Sequence, residues 1–212
     1  MISGEHNPHP SSLPVPPLNG LVLAGGKSLR MGEDKSTLPW HGKEQRYWLA
    51  ELLGAWCAEV FISCRPEQVA GITGHAVLPD SFTGIGPYGA ILSAFREKPD
   101  NAWLVLACDL PLMNAATLKQ LVNSRNPSLV ATSYQSPFNG FPEPLIAIWE
   151  PKAYPLLLSF LSQGYSCPGK VLRQCEVEMI VPAAPTAMMN VNTPSDLQQA
   201  EKILSRKIPR AI

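Results

Sequence analysis

Apolar residues along this chain fall into short runs, separated by segments with helical periodicity. Gly20 to Ala24 (GLVLA) is a brief apolar run ending in glycines, the pattern of a buried strand. Between Glu44 and Cys57 the side chains of Trp48, Leu49, Leu52, Leu53 and Trp56 share one face of a predicted helix. Trp48 and Trp56 lie two helical turns apart and read as core packing rather than as a stacking platform for a base. The series continues with strands at 59–63 and 75–78, a helical turn near 67–72 between them, and a helix over 85–96. A strand at 103–107, a helix over 114–123, strands at 128–132 and 144–149, a helix over 151–163 and a last helix after Pro194 follow.

Strands that alternate with helices and are almost continuously apolar predict a mostly parallel sheet with helices on both faces, one α/β domain without internal repeats. In such sheets ligands bind beyond the carboxyl ends of the strands. The places to look are therefore just after Ala24, Ser63, Leu78, Ala107 and Trp149.

Composition narrows the function. The 17 basic and 17 acidic residues balance to zero net charge, against a nucleic-acid partner. No apolar run is long enough for a transmembrane helix, so no membrane association is expected. The first residues lack the basic start and apolar core of a signal peptide. Rich in proline, residues 1–18 read as an extended flexible tail before a domain spanning 19–212. Cys57, Cys64, Cys108, Cys167 and Cys175 are odd in number and form no CxxC pair, which argues against a disulfide framework or zinc site and for a reduced, cytoplasmic setting.

Directly after the first strand comes Ala24-Gly25-Gly26-Lys27-Ser28-Leu29-Arg30-Met31-Gly32-Glu33-Asp34-Lys35. Glycines let backbone N–H groups approach an anion, and three basic side chains lie within nine residues, so a polyphosphate is the expected guest. Two familiar phosphate loops are excluded. A Walker A loop needs glycine where Leu21 stands, and the dinucleotide fingerprint needs glycine where Lys27 stands. The string LAGGKSLRMGEDK resembles the loop of nucleotidyltransferases of the molybdenum cofactor guanylyltransferase family.

That resemblance implies a Rossmann-like fold of the nucleotide-diphospho-sugar transferase kind. It implies that Leu23, Ala24, Gly25 and Gly26 hold the guanine and ribose side of GTP, while Lys35 and Arg30 grip the triphosphate. Lys27 and Asp34 are equally compatible with solvated loop positions. Asp109, in Ala107-Cys108-Asp109-Leu110-Pro111 at a strand end, suits either Mg²⁺ binding or a helix N-cap; the Cys-Asp-x-Pro setting resembles the family's metal-binding segment. The stretch Asp80 to Ala90 resembles a segment whose aspartate contacts nucleotide and whose glycines, here including Gly86, permit close approach. Ser63 stands where the family commonly has an asparagine that touches nucleotide.

Towards the end of the chain, Asn190-Val191-Asn192-Thr193-Pro194 precedes the last helix. Thr193 as N-cap, Pro194 at N1 and Asp196 in the first turn need no function to explain them. Two asparagines spaced by one do, since in extended chain they point the same way. The string resembles the family's closing motif, implying that Asn190 and Asn192 face the acceptor or the metal; Glu143, within Pro-Glu-Pro, lines the same groove or forms a rigid turn. The sequence departs from the family at Ser166-Cys167-Pro168-Gly169, where a basic, hydroxyl-bearing stretch is expected; Lys170 and Arg173 either meet the acceptor phosphate or, the favoured reading, lie on a surface helix.

Taken together the resemblance implies Mg²⁺-dependent transfer of GMP from GTP to the phosphate of Mo-molybdopterin, with cofactor-inserting or cofactor-accepting enzymes as partners. A cytidylyl- or sugar-1-phosphate nucleotidyltransferase is the rival on the same fold. Gly26 favours guanine, because cytidylyl relatives usually read Leu-Ala-Ala-Gly there. A non-catalytic GTP-binding subunit would be expected to lack Asp109 or Lys35, and both are present.

Overall fold

Alternate residues of the central strands feed two separate cores. On β4 (Ala102–Ala107), Leu104 and Leu106 enter one and Trp103 and Val105 the other, so the whole strand is buried. The first core lies under α1 (Gln45–Gly54) and α3 (Ala115–Asn123), the second under α2 (Pro87–Glu97), α4 (Ala153–Ser162) and α5 (Pro168–Leu172). Helices thus cover both faces, as the apolar strands require. The structure, a computed structural model, describes residues 14–26 and 35–207.

The remaining strands are β1 (Leu18–Leu23), β2 (Val60–Cys64), β3 (Ala76–Pro79), β5 (Ala131–Gln135), β6 (Pro142–Trp149) and β7 (Val177–Ile180). They form one sheet in the order β3-β2-β1-β4-β6-β5-β7. β1 pairs in parallel with β2 and β4, and β2 with β3. β6 is antiparallel to both neighbours, while β7 lies parallel to β5 at the edge. The reversal follows from chain length, because the residues between β5 and β6 make a hairpin and are too few for a crossover. Leu49 and Leu53 of α1 are fully buried, and Trp48 and Trp56 pack against the same core, so the tryptophans serve packing.

Three expectations change. The strand foreseen at 128–132 begins at Ala131, because the Asn126 side chain accepts from Ser128 N at 3.2 Å and holds that segment in a turn. β7 was hidden by its short, half-buried sequence. The tail does not run to residue 18: Leu18 opens β1, the Pro17 carbonyl accepts from Ala102 N at 2.9 Å, and the Pro16 carbonyl accepts from Arg125 at 2.8 Å. Arg125 also forks onto the fully buried Glu150 at 2.7 and 3.0 Å, so the approach to β1 is fastened to a buried ion pair.

The segment between β3 and α2 is folded tightly against its own helix. Ser93 Oγ accepts from Ser81 N at 2.8 Å and donates to the Gly89 carbonyl at 2.7 Å. A Cβ on Gly89 would stand 1.9 Å from the Phe82 carbonyl oxygen, an overlap no side-chain movement can relieve. Gly89→Ala is therefore expected to cost about 3 kcal/mol of stability, near the upper end of overpacking penalties. Urea unfolding checks this, and an unchanged midpoint would contradict the close approach.

Candidate active site

Because β1 to β4 run the same way, their carboxyl ends open together into a cleft of about 680 Å³. Ala24, Gly25 and Gly26 follow β1 into it, Arg65 follows β2, Asp80 follows β3, and Cys108 and Asp109 follow β4. Four of the five expected strand ends meet here. The fifth does not: β6 is reversed, so Trp149 points to the opposite edge, and the amino-terminal half of β6 contributes Leu145 instead.

On the β2–β3 side, Ser63 Oγ donates to Asp80 Oδ1 at 2.6 Å, and Asp80 N donates to the Cys64 carbonyl at 2.8 Å. Burial holds the Asp80 carboxyl above its ordinary pKa, opposed by the Ser63 hydrogen bond and by Arg65. A Cβ on Gly25 would come within 3.2 Å of Asp80 Oδ2, so that glycine keeps the loop against the aspartate. Gly26 differs: no described atom lies within 4 Å of where its Cβ would stand. Gly86 caps α2 with φ +58°, ψ −140°, a conformation open essentially to glycine alone.

Across the cleft, Lys35 begins a 3₁₀ turn (Lys35–Thr37), and its ammonium donates to Asn192 Oδ1 at 2.8 Å. Asp109 is not a helix cap; Asn114 takes that role, accepting from Thr117 N at 3.0 Å. Asp109 is thus left to the cleft. Its burial raises the carboxyl pKa, Lys35 draws it back down, and Glu143 on β6 pushes it up. Lys35, Asp109 and Glu143 therefore act on one another electrostatically, and Lys35 also draws down Asp196.

The Asn190–Pro194 segment is fastened to the same place. Val191 is buried, and its N–H donates to the Asp109 carbonyl at 2.8 Å, while Asn190 and Asn192 on either side are exposed. Thr193 and Asp196 form the expected cap of α6 (Pro194–Lys207): Asp196 Oδ2 accepts from Asn192 N at 3.0 Å and Thr193 N at 2.8 Å. Those backbone bonds, Asn192 first, hold the Asp196 carboxyl below its ordinary pKa.

Leu23, Ala24, Gly25, Gly26, Lys35, Ser63, Asp80, Gly86 and Asp109 all line the cleft. Asn192 and Glu143 reach it through Lys35 and Asp109. No described contact ties the Asn190 side chain to this group. Arg30, with Lys27 and Asp34, lies outside the described residues. Lys170 on α5 and Arg173 at its C-terminal cap lie over the rings of Tyr165 and Phe141, the surface helix expected. Sequence reasoning missed Arg65, a cation on the cleft wall beside Asp80 that pairs with Glu67 at 2.8 Å. Its place directly after β2 was the available signal.

Among the described residues no three His, Cys, Asp or Glu side chains come together as a metal cage. The Asp109 carboxylate, with the Glu143 charge acting on it, is a donor set of the kind that holds Mg²⁺ with one or two carboxylates, retained water and ligand phosphates. His41 and His75 pack against Trp48 and Tyr47 and take no part in the cleft. No described helix is long and apolar enough to cross a membrane.

Comparison with known proteins agrees with this geometry. Residues 20–178 match the family model of the MobA-like NTP transferase domain. A molybdenum cofactor biosynthesis bifunctional protein from Synechocystis is 36% identical over 86% of this chain, which spans only 53% of that longer relative. A probable molybdenum cofactor guanylyltransferase from Bacillus licheniformis is 30% identical, covering 85% of this chain and 95% of its own length. Among solved structures, molybdopterin-guanine dinucleotide biosynthesis protein A from Archaeoglobus fulgidus shares the fold with a TM-score of 0.75 at 24% identity, covering 89% of this chain and 99% of that one. With its glycine loop, cleft aspartates and lysine placed at the carboxyl ends of a matching sheet, this chain belongs to the family of MobA-like NTP transferase domains.

Proposed function

We propose that the protein transfers GMP from GTP to the phosphate of Mo-molybdopterin, releasing pyrophosphate, in the cytoplasm. The observation that carries this reading is the meeting of Lys35, Asp109 and the Asn192 segment at the end of the cleft opposite Asp80 and Arg65. A nucleoside triphosphate laid along that cleft has its phosphates beside Lys35 and Asp109 and its base towards Ser63, Asp80 and Arg65.

In the reaction, an acceptor phosphate oxygen attacks the α-phosphorus of GTP. A new P–O bond forms while the bond from the α-phosphorus to the oxygen bridging it to the β-phosphate breaks, and pyrophosphate leaves with that oxygen. The attacking phosphate is already anionic at neutral pH, so no side chain need act as a general base, consistent with the packing roles of His41 and His75. Lys35 neutralises charge that grows on the departing pyrophosphate. Arg30, by resemblance, shares this task. Asp109 would hold Mg²⁺ with Glu143 nearby, and the ion when bound supplies further neutralisation of phosphate charge. Gly26, where no described atom stands within 4 Å of the Cβ position, forms the wall against which a purine can lie.

Three measurements test this reading. Calorimetric titration with GTP, CTP, UTP and ATP, each with and without Mg²⁺, should show preference for Mg·GTP. Preference for CTP or UTP would move the search to cytidylyl or sugar acceptors, and no binding at all would sink the phosphate-loop assignment. Asp109→Asn is expected to lower transfer roughly 10²–10³-fold, the scale for losing one charge-stabilising group. Its stability should equal or exceed the parent's, because the buried carboxylate charge is unfavourable to the fold. Normal turnover would exclude Asp109 from the chemistry. Gly26→Ala should leave stability within about 0.5 kcal/mol while weakening GTP at least about tenfold, as one added methyl in a binding wall can do. Unchanged GTP affinity would remove Gly26 from the base pocket.

A further inference from the structure

Asn192 belongs by sequence to the acceptor-side motif, yet its one described side-chain bond goes to the nucleotide side. Lys35 Nζ donates to Asn192 Oδ1 at 2.8 Å, across 157 positions of sequence. The asparagine is not a loose surface group. Its own N–H and that of Thr193 are held by Asp196 Oδ2 at 3.0 and 2.8 Å, and the preceding Val191 N–H is held by the Asp109 carbonyl at 2.8 Å. The segment is therefore anchored at both ends before Asn192 meets the lysine.

We infer that Asn192 is a positioning residue for Lys35, orienting its ammonium for the triphosphate of the nucleotide, so that the acceptor motif contributes to nucleotide binding before any acceptor arrives. The chemistry fits. An ammonium has three donors and no acceptor. One donor on the neutral Asn192 amide oxygen fixes the direction of a flexible side chain. A carboxylate at that place would neutralise the lysine, whereas an amide aims it without taking its charge. Asp196 keeps its carboxylate one step back, spent on backbone N–H groups that hold the asparagine. Val191 joins the arrangement to Asp109, so the lysine and the proposed metal-binding aspartate are set in register by one short stretch of chain.

The inference rests on the assignment of Lys35 to the triphosphate, and a double-mutant cycle separates the two. Affinity for Mg·GTP, and independently of the base for inorganic tripolyphosphate, is measured without acceptor in the parent, Lys35→Met, Asn192→Ala and the double variant. Asn192→Ala is expected to weaken both ligands about tenfold, the scale of a hydrogen bond to a charged group. In the Lys35→Met background the same change should have almost no further effect, since its action passes through the lysine. Asn192→Asp should weaken binding more than Asn192→Ala, because it adds a negative charge facing the phosphates.

Unchanged affinity in Asn192→Ala would confine the residue to the acceptor and overturn the inference. An equal loss from Asn192→Ala in both backgrounds would mean that the segment had merely been disturbed, and would overturn it too. Lys35→Met binding as well as the parent would remove the lysine from the triphosphate and take both the assignment and the inference with it.

Discussion

The register of β1 between its two parallel neighbours sets the geometry of the cleft. Leu23 is level with Ser63 on β2 and with Ala107 on β4, so the three chains leave the sheet side by side. Ala24, Cys64 and Cys108 are then the last residues at sheet height, and Gly25, Arg65 and Asp109 the first beyond it. A shift by one residue in either pairing would turn Ser63 or Asp109 to another face. The two cores that grip this register depend on strict alternation along the strands, as at Leu104 and Leu106 against Trp103 and Val105.

The reversed strand β6 completes the site in a way that an all-parallel sheet could not. Its amino-terminal half, not its carboxyl end, reaches the cleft, bringing Leu145 to the wall and the Glu143 charge near Asp109. Its carboxyl end carries Glu150 into the buried pair with Arg125, far from the chemistry. Acidic charge is thus divided between two ends of the same strand. Glu150 is fully paired within the fold, while Asp109 stands in the cleft with Lys35 and feels the Glu143 charge from β6. A buried carboxylate such as Asp109 is unfavourable to folding and favourable to binding a cation.

Much of this was legible in the residues. The apolar run GLVLA, the glycines that end it and the aspartate closing WLVLA placed three of the cleft's walls, because a buried parallel strand announces both its position and its end. Thr193, Pro194 and Asp196 announced the cap of α6 because capping is local chemistry. The direction of β6 was not legible, since an apolar strand looks alike from either end and only the short connection to β5 hinted at a hairpin. Nor was β7, whose half-buried four residues carry little periodicity. The bond from Lys35 to Asn192 joins residues 157 apart and depends on the whole sheet being folded. Arg65 was overlooked because glycines and carboxylates at strand ends carry more recognisable patterns than a lone arginine.

Isotope labelling follows the atoms through the reaction. Purified protein is incubated with Mo-molybdopterin and Mg²⁺ and with GTP labelled either at the α- or at the γ-phosphate, and the products are separated. Guanylyl transfer puts α-label in a molybdopterin–guanine dinucleotide and γ-label in pyrophosphate, in equal amounts. Label from the γ-phosphate appearing on the acceptor, or α-label remaining in GDP, would mean that another bond is broken and would contradict guanylyl transfer.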